Sequence, residues 1–368
     1  MSYTDMEQYW IWLSSVAGIG PKSFYRLLAE YEDPREVWSK AGAQMTCIAP
    51  KTRERLLAAR NEQYLYGLFA KLDRLGIRAV TRISDAYPQR LMHIHEVPPV
   101  LYIKGAGNLS QEKMIAIVGT RAPTYDGKRA ARDIAKGLSE HGVTVVSGLA
   151  RGTDTCAHKG ALEGGTPTVG VIGCGLDVVY PAENDRLYAE MLERGGTIVS
   201  EYLPGTQPLS QHFPARNRII SGLCPGVVIV EADERSGAMI TARLALEQNR
   251  DVFAVPGSIY SKLSAETNRL LVQGAAPALG AWEVLEYYDW AQRGAGTACI
   301  PIVDLTEEEY KVAEPLQSEM LSFDELSEKT KFPPARLNSL LTTLELRGII
   351  NKVPGGGYRA TDISVRME

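Results

Sequence analysis

The stretch Met114-Ile-Ala-Ile-Val-Gly-Thr-Arg121 is a run of five apolar residues that ends in a glycine turn. Continuous runs of this kind are typical of strands that are covered on both faces of a sheet. Comparable runs recur about every 25–30 residues, with helical patterns between them. They are Val143–Val146, Thr168–Ile172, Thr197–Val199, Val227–Val230 and Val252–Val255. The alternation predicts an α/β fold with a doubly wound, mostly parallel sheet.

At 368 residues, the chain is longer than one typical domain. Residues 1–85 are predicted to form short helices, at Gln8–Ala17, Ser23–Tyr31 and Thr52–Leu75. The break Gly18-Ile-Gly-Pro21 between the first two is the outline of a helix–hairpin–helix or SAM-like module. The alternative is a plain helical turn that needs two glycines for close packing.

The sheet domain is predicted to span residues 86–290, and a linker with Gly294–Gly296 is predicted to span residues 291–303. Residues 304–368 show three helical patterns, at Thr306–Leu316, Ser322–Thr330 and Pro333–Arg347. A hairpin with a glycine tip follows, so this module is predicted to be a winged helix. Its third helix carries only Arg336 and Arg347 as basic residues, which leaves contact with a protein or simple packing as alternatives to reading DNA.

Hydrophobic residues make up 45% of the chain, and the net charge is −4. This composition allows ordinary packed cores and argues against nucleic-acid binding through bulk positive charge. Charge is uneven, however, because Lys113–Lys159 holds eight Lys/Arg against four Asp/Glu. Five cysteines without Cys-x-x-Cys, no long apolar run and no signal-peptide pattern predict a cytoplasmic protein without membrane contact or a metal.

Small and polar residues follow four of the predicted strands. Parallel strands end at one edge of a sheet, where glycine turns and helix N-termini can hold an anion. The predicted contacts at this edge are Gly119, Thr120, Arg121, Ser147, Gly148, Gly152, Gly173, Gly175, Ser236 and Gly237. The sequence therefore predicts a phosphate-bearing ligand, although turns between strands and helices also need glycine for structural reasons.

The stretch His212-Phe-Pro-Ala-Arg-Asn-Arg218 adds side chains that suit a polynucleotide. Arginine forks match phosphate oxygens, and an aromatic face can stack on a base. The alternative is a charged helix end that packs on the sheet. The sequence has no Gly-x-Gly-x-x-Gly, no P-loop and no Ser/His/Asp or Cys/His arrangement, so we expect neither a cofactor nor a catalytic centre.

With these motifs the chain resembles the bacterial DNA-processing protein A family, called DprA or Smf. The resemblance covers about residues 85–290. The motifs are Ile117–Arg121, Ser147–Asp154, Gly173–Pro181, Ser200–Tyr202, His212–Arg218, Arg235–Ala238 and Asp251–Ser258. The resemblance implies an extended Rossmann-like domain that binds single-stranded DNA. It also implies that the protein loads the recombinase RecA during natural transformation, without a catalytic step.

The resemblance also implies roles for single residues. Arg121 would be the main phosphate contact, and Phe213 would stack on a base. The remaining members of the binding segment are His212, Arg216, Asn217 and Arg218, of which the last three would shape the pocket. Some relatives carry lysines where this chain has Ala182 and Ser210, which puts the strength of binding in question.

Self-association is a further implication of the resemblance. It would use about Ile259–Gln273, with Asn268 and Leu271 as candidates, and would give a homodimer or a higher multimer. An ordinary core helix explains Leu270 and Leu271 equally well.

Two other functions stay open on the sequence. Sheets with phosphate-binding turns also occur in nucleotide-monophosphate phosphoribohydrolases, whose Pro-Gly-Gly-x-Gly-Thr-x-x-Glu motif is absent; this chain has Val255-Pro-Gly-Ser258. Release of free base from AMP would support that enzyme. The winged-helix module would also suit a regulator that reads duplex DNA, and duplex binding tighter than single-strand binding would support it.

Overall fold

The computed structural model describes residues 3–42, 44–234, 236–291, 302–353, 357–361 and 364–367. The chain forms two compact units, Met1–Ala291 and Gln292–Glu368. The first holds the helical segment and the large sheet together, and the second holds the winged-helix elements.

The first unit begins with five helices. They are α1 (Asp5–Ser15), α2 (Pro21–Tyr31), α3 (Pro34–Lys40), α4 (Pro50–Ala59) and α5 (Glu62–Arg74). The predicted long helix Thr52–Leu75 is two helices, because the Asn61 side chain accepts a hydrogen bond from the Tyr64 N–H and starts a new one. The buried Ile11 of α1 packs with residues of the sheet, so the helical segment shares a core with it.

The sheet has nine strands. They are β1 (Arg78–Thr81), β2 (Val100–Gly105), β3 (Met114–Val118), β4 (Thr144–Ser147), β5 (Val169–Val171), β6 (Thr197–Ser200), β7 (Gly226–Ile229), β8 (Asp251–Ala254) and β9 (Ala276–Pro277). Their spatial order is β1-β2-β6-β5-β4-β3-β7-β8-β9, and all pairs are parallel except β1–β2 and β2–β6. The prediction of a doubly wound, mostly parallel sheet is confirmed. β1 lies in a segment that was predicted to be helical, and that part of the prediction was wrong.

Helices cover both faces of the sheet. They are α6 (Tyr125–Glu140), α7 (Thr153–Gly164), α8 (Asp185–Glu193), α9 (His212–Leu223), α10 (Gly237–Glu247), α11 (Ala265–Val272) and α12 (Ala281–Tyr287). Alternate residues of β3 pack into different cores: Ala116 and Val118 meet α9 and α10, whereas Ile115 and Ile117 meet α6 and α7. Burial on both faces explains why the strand is apolar at every position.

The order of the strands creates a switch point between β3 and β7. From β3 the chain runs outward through β4, β5 and β6, and it then returns to place β7 on the other side of β3. The two strands stay joined beyond their ends, because Thr120 N–H donates to Glu231 O at 2.8 Å. The loops then lead to opposite sides of the sheet and open a crevice between them.

The second unit contains the helices α13 (Glu307–Ser318), α14 (Phe323–Thr330) and α15 (Pro334–Leu346). Its strands are β10 (Ile302–Leu305), β11 (Leu321–Ser322), β12 (Ile350–Val353), β13 (Gly357–Ala360) and β14 (Ser364–Met367). β12 and β13 form the predicted antiparallel hairpin, and α13–α15 match the three predicted helices. The hairpin tip at 354–356 and the linker residues 292–301 lie outside the described residues.

Throughout the described parts of both units, no helix has the combination of length and apolar character that a membrane crossing requires.

Candidate nucleic-acid interface

A cleft of about 440 Å³ lies at the switch point, between the loops that follow β3 and β7 and the amino ends of α9 and α10. We call it the switch-point cleft. The predicted residues that line it are Gly119, Thr120, Arg121, Phe213, Arg216, Asn217, Ser236 and Gly237. A pocket of about 30 Å³ adjoins it and adds the predicted Gly148 and Gly173. The structure therefore brings together residues from five chain segments that are far apart in sequence.

A cation and an aromatic ring, Arg121 and Phe213, line both cavities, and a second ring, Tyr180, lines the smaller one. The guanidinium of Arg121 lies over the ring of Phe213, 5.4 Å from its centroid. The Phe213 ring stacks on Tyr180, with 5.3 Å between centroids and 30° between planes. Arg121 is exposed, and Tyr180 is 39% exposed. Such an arrangement offers a phosphate partner and a stacking surface side by side.

Helix amino ends add positive potential at the same place. Phe213 and Pro214 of α9, and Gly237 and Ala238 of α10, line the cleft, so the amino ends of both helices face it. No side chain caps α9, whereas Ser236 caps α10 by accepting the Ala238 N–H. A β-carbon on Gly237 would meet no atom within 4 Å, so the backbone there is open to a ligand. Helix amino ends favour anions.

Arg216 lines the cleft but is only 4% exposed. Its Nη1 donates to Gly148 O at 2.7 Å and to Val171 O, and its Nε donates to Asn217 Oδ1 at 3.1 Å. Burial lowers the pKa of Arg216 to about 10; the nearby Asp154 carboxylate opposes this effect and Arg121 adds to it. Arg216 therefore remains charged at neutral pH and joins α9 to the ends of β4 and β5.

Arg218 lies outside the cleft lining, and its predicted part in shaping the pocket is not supported by its position. Its Nη1 and Nη2 donate to the two carboxylate oxygens of Glu201 at 2.7 and 2.6 Å, and its Nε donates to Glu96 O at 3.1 Å. Both side chains of the ion pair are less than 10% exposed. A guanidinium that is buried and paired in this way supports the fold.

Four other predicted residues do not line either cavity; they are Ser147, Gly152, Gly175 and His212. Ser147 is buried and donates to Ile117 O at 2.6 Å. Gly175 N–H donates to Thr206 O at 2.9 Å. His212 stacks on Tyr202 at 4.1 Å, and its Nδ1 lies 3.1 Å from Gly173 O. These residues hold the loops around the cleft.

Gly152 packs against the backbone of the loop that carries Arg121. It has φ +79°, and a β-carbon there would lie 2.6 Å from Arg121 O and 2.6 Å from Pro123 Cδ. Only a residue without a side chain lets the two loops approach this closely. The glycine therefore positions Arg121 and makes no contact with the cleft itself.

Sequence reasoning missed several lining residues. Tyr180 belongs to the motif Gly173–Pro181, and an aromatic residue directly before a proline was the available signal. Asp154 also lines the cleft; it is 6% exposed, its Oδ2 accepts the Ala150 N–H at 3.2 Å, and burial raises its pKa. Asp233 lines the cleft, and Ser210 does so at the place where some relatives carry lysine. Ala182, the other such place, is exposed on the turn before α8.

The candidates for self-association lie on α11. The Asn268 side chain both accepts from Gly257 N–H and donates to Gly257 O, so it fixes the neighbouring loop. Leu271 is partly buried against the sheet core. Large apolar side chains around them are exposed, namely Leu246, Ile259, Tyr260 and Val272. The assignment of this surface to self-association stays a prediction.

The two arginines of the predicted third helix, Arg336 in α15 and Arg347 directly after it, are paired. Arg336 Nε donates to Glu308 Oε2 at 3.0 Å, and Arg347 Nη1 donates to Glu309 Oε1 at 2.8 Å. Both glutamates belong to α13. The helix that would enter a major groove therefore has its arginines held by neighbouring carboxylates.

Fold and cleft together define a Rossmann-like protein with a winged-helix module. The chain belongs to the DNA recombination-mediator protein A family, whose model matches residues 78–289, and a DprA winged helix domain model matches residues 301–356. The chain is 44% identical over 208 residues to DNA processing protein DprA of Streptococcus pneumoniae, covering 56% of this chain and 73% of that one. It is 38% identical over 287 residues to protein Smf of Escherichia coli, covering 75% of each chain.

Two solved structures of DNA processing protein A are also similar to this chain. The X-ray structure of DNA processing protein A from Streptococcus pneumoniae superposes with a TM-score of 0.66 at 37% identity, covering 78% of this chain and 98% of that chain. A structure of DNA processing protein A from Helicobacter pylori superposes with a TM-score of 0.52 at 30% identity, covering 58% and 95%. The latter is described as showing a single-stranded DNA binding mode.

Proposed function

We propose that this protein binds single-stranded DNA in the switch-point cleft without sequence preference and promotes loading of RecA in natural transformation and recombination. The observation that carries the proposal is the Arg121 guanidinium over the Phe213 ring, which is stacked on Tyr180. The activity is binding without a catalytic step, in the cytoplasm, by a homodimer or a higher multimer.

The cleft favours an unpaired strand for a physical reason. A base can stack on an exposed ring only when it is not already stacked and paired inside a duplex. Stacking on an aromatic face and pairing of phosphates with Arg121 and helix amino ends do not depend on the identity of the base. Binding without sequence preference follows from these contacts.

The family of this chain and one of its relatives support the proposal. The family name describes a recombination mediator, and the Helicobacter pylori relative binds single-stranded DNA.

The test is a salt-titrated comparison of single-stranded and duplex DNA of equal length. We expect preference for the single strand and a slope of log K against log salt of about −0.7 for each neutralised phosphate. A RecA strand-coating assay with and without the protein then tests loading. Equal or tighter binding to duplex would contradict the proposal, and release of free base from AMP would favour the hydrolase.

Ser210→Lys is expected to tighten single-strand binding. Ser210 is exposed and lines the cleft, so a lysine there adds a cation within reach of the strand. The salt slope should steepen by about 0.7, with a several-fold gain in affinity at low salt. The matched control is Ser110→Lys, which makes the same charge change in an exposed turn outside the cleft. Equal gains in both variants would show that net charge, and not position, is responsible.

A further inference from the structure

The helices α6 and α7 cross unusually closely. A β-carbon on Gly160 of α7 would clash with Arg132 O of α6, and one on Gly164 would lie 2.5 Å from Lys136 O. Glycines four residues apart lie on one face of a helix, so the α7 backbone lies directly on that of α6. Their outward side chains therefore share a single surface.

That surface carries exposed cations, next to carboxylates such as Asp133 and Glu163. Lys128, Arg132 and Lys136 follow one another at four-residue spacing along α6, one per helical turn, and Lys159 lies on α7. Arg132 donates to both oxygens of Glu163 at 2.7 and 2.5 Å. Lys128 and Lys159 are exposed, and neither has an ion pair within the described ranges.

The surface begins at the loop that carries Arg121. α6 starts at Tyr125, four residues after Arg121. α7 starts at Thr153, whose Oγ1 donates to Thr120 O at 3.0 Å. The exposed cations Lys128 and Lys159 therefore lie along the two helices that lead away from the cleft.

We propose that the single strand continues from the switch-point cleft over this surface, with Lys128 and Lys159 contacting its phosphates. We call it the α6–α7 cationic face, defined by Lys128, Arg132 and Lys159. The inference rests on the proposed function, because it extends the path of the same ligand. Lysines contact phosphates as point charges, so this part of the path is independent of sequence and responds strongly to salt.

The experiment compares Lys128→Ala/Lys159→Ala with the wild-type protein on a short oligonucleotide of about 5 nucleotides and a long one of about 30. We expect equal binding of the short strand. For the long strand we expect a salt slope shallower by about 1.4 and a several-fold loss of affinity at low salt. The matched control is Lys51→Ala/Lys331→Ala, which removes two exposed lysines elsewhere.

Cys156 supplies a second readout, because its half-buried thiol lies within the electrostatic range of Lys128, Arg132 and Lys159. The rate of its alkylation by a maleimide, followed by mass spectrometry of its peptide, should fall with the long strand and not with the short one. Alkylation of Cys47, which is also half-buried, provides the internal reference.

The outcomes are distinguishable. The inference would be overturned if the double variant shows the wild-type salt slope on the long strand and the long strand does not protect Cys156 from alkylation. The proposed function would not be affected by that result. Loss of RecA loading without any change in DNA binding would make the face a protein-docking surface and would also overturn it. If the wild-type protein binds neither strand, the proposed function itself fails.

Discussion

Arg121→Ala is expected to lower the affinity for single-stranded DNA about 10- to 100-fold, because the change removes a charge-assisted phosphate contact worth about 1.5–3 kcal/mol. It also removes the cation that lies over Phe213 at 5.4 Å. Arg216 cannot take over this contact, since its guanidinium is held by backbone carbonyls. The measurement is a fluorescence-anisotropy titration with a labelled oligonucleotide at fixed salt.

Two further variants test the role of Arg121, one by keeping its charge and one by removing an arginine elsewhere. Arg121→Lys keeps the charge but loses the planar fork, so an intermediate loss is expected. Arg186→Ala removes an exposed arginine from α8, outside the cleft, and should leave binding unchanged. Because Arg121 is exposed, its removal should hardly change the thermal melt. Wild-type affinity for Arg121→Ala would remove the basis of the proposed site.

Glu201→Ala is expected to destabilise the protein by about 3–5 kcal/mol, because it leaves the Arg218 guanidinium buried without its counter-charge. Both members of this pair are less than 10% exposed, so water cannot replace the lost carboxylate. Urea unfolding, followed by circular dichroism, measures the effect. The matched control is Glu307→Ala, which breaks the solvent-exposed pair with Lys311 and should give little change in stability.

Variants of the Arg218–Glu201 pair test whether Arg218 stabilises the fold or contacts DNA. Arg218→Ala should lower the stability, while the folded fraction keeps its affinity for single-stranded DNA. A stable Glu201→Ala protein would mean that Arg218 finds another partner or reaches solvent. Loss of DNA affinity in a fully folded Arg218→Ala variant would support the predicted contact between Arg218 and single-stranded DNA.

Much of the central fold could be predicted because its signals are local. Each strand from β3 to β8 is a short apolar run, and the predicted runs agree with the observed strands to within one residue at each end. β1 was missed because Arg78–Thr81 is too short and too mixed to stand out from the helical pattern before it. Its strand character comes from pairing with β2, a partner about twenty residues away.

The site could be predicted only in part. Arg121 and Phe213 stood in recognisable motifs, but the stacking of Tyr180 on Phe213 joins residues 33 positions apart. Arg216 and Arg218 are two positions apart and chemically identical. One is held by strand-end carbonyls beside the cleft, and the other is held by Glu201 outside the cleft lining. No pattern in the sequence separates them.

The sequence by itself determined the doubly wound sheet, because strands buried on both faces must be apolar at every position. It also determined which edge of the sheet holds the glycine turns and the cations, since parallel strands all end at the same edge. Only the tertiary structure decided which cations are available to a ligand. Burial and ion pairing depend on neighbours that are remote in sequence, and these neighbours leave Arg121 exposed while they enclose Arg216 and Arg218.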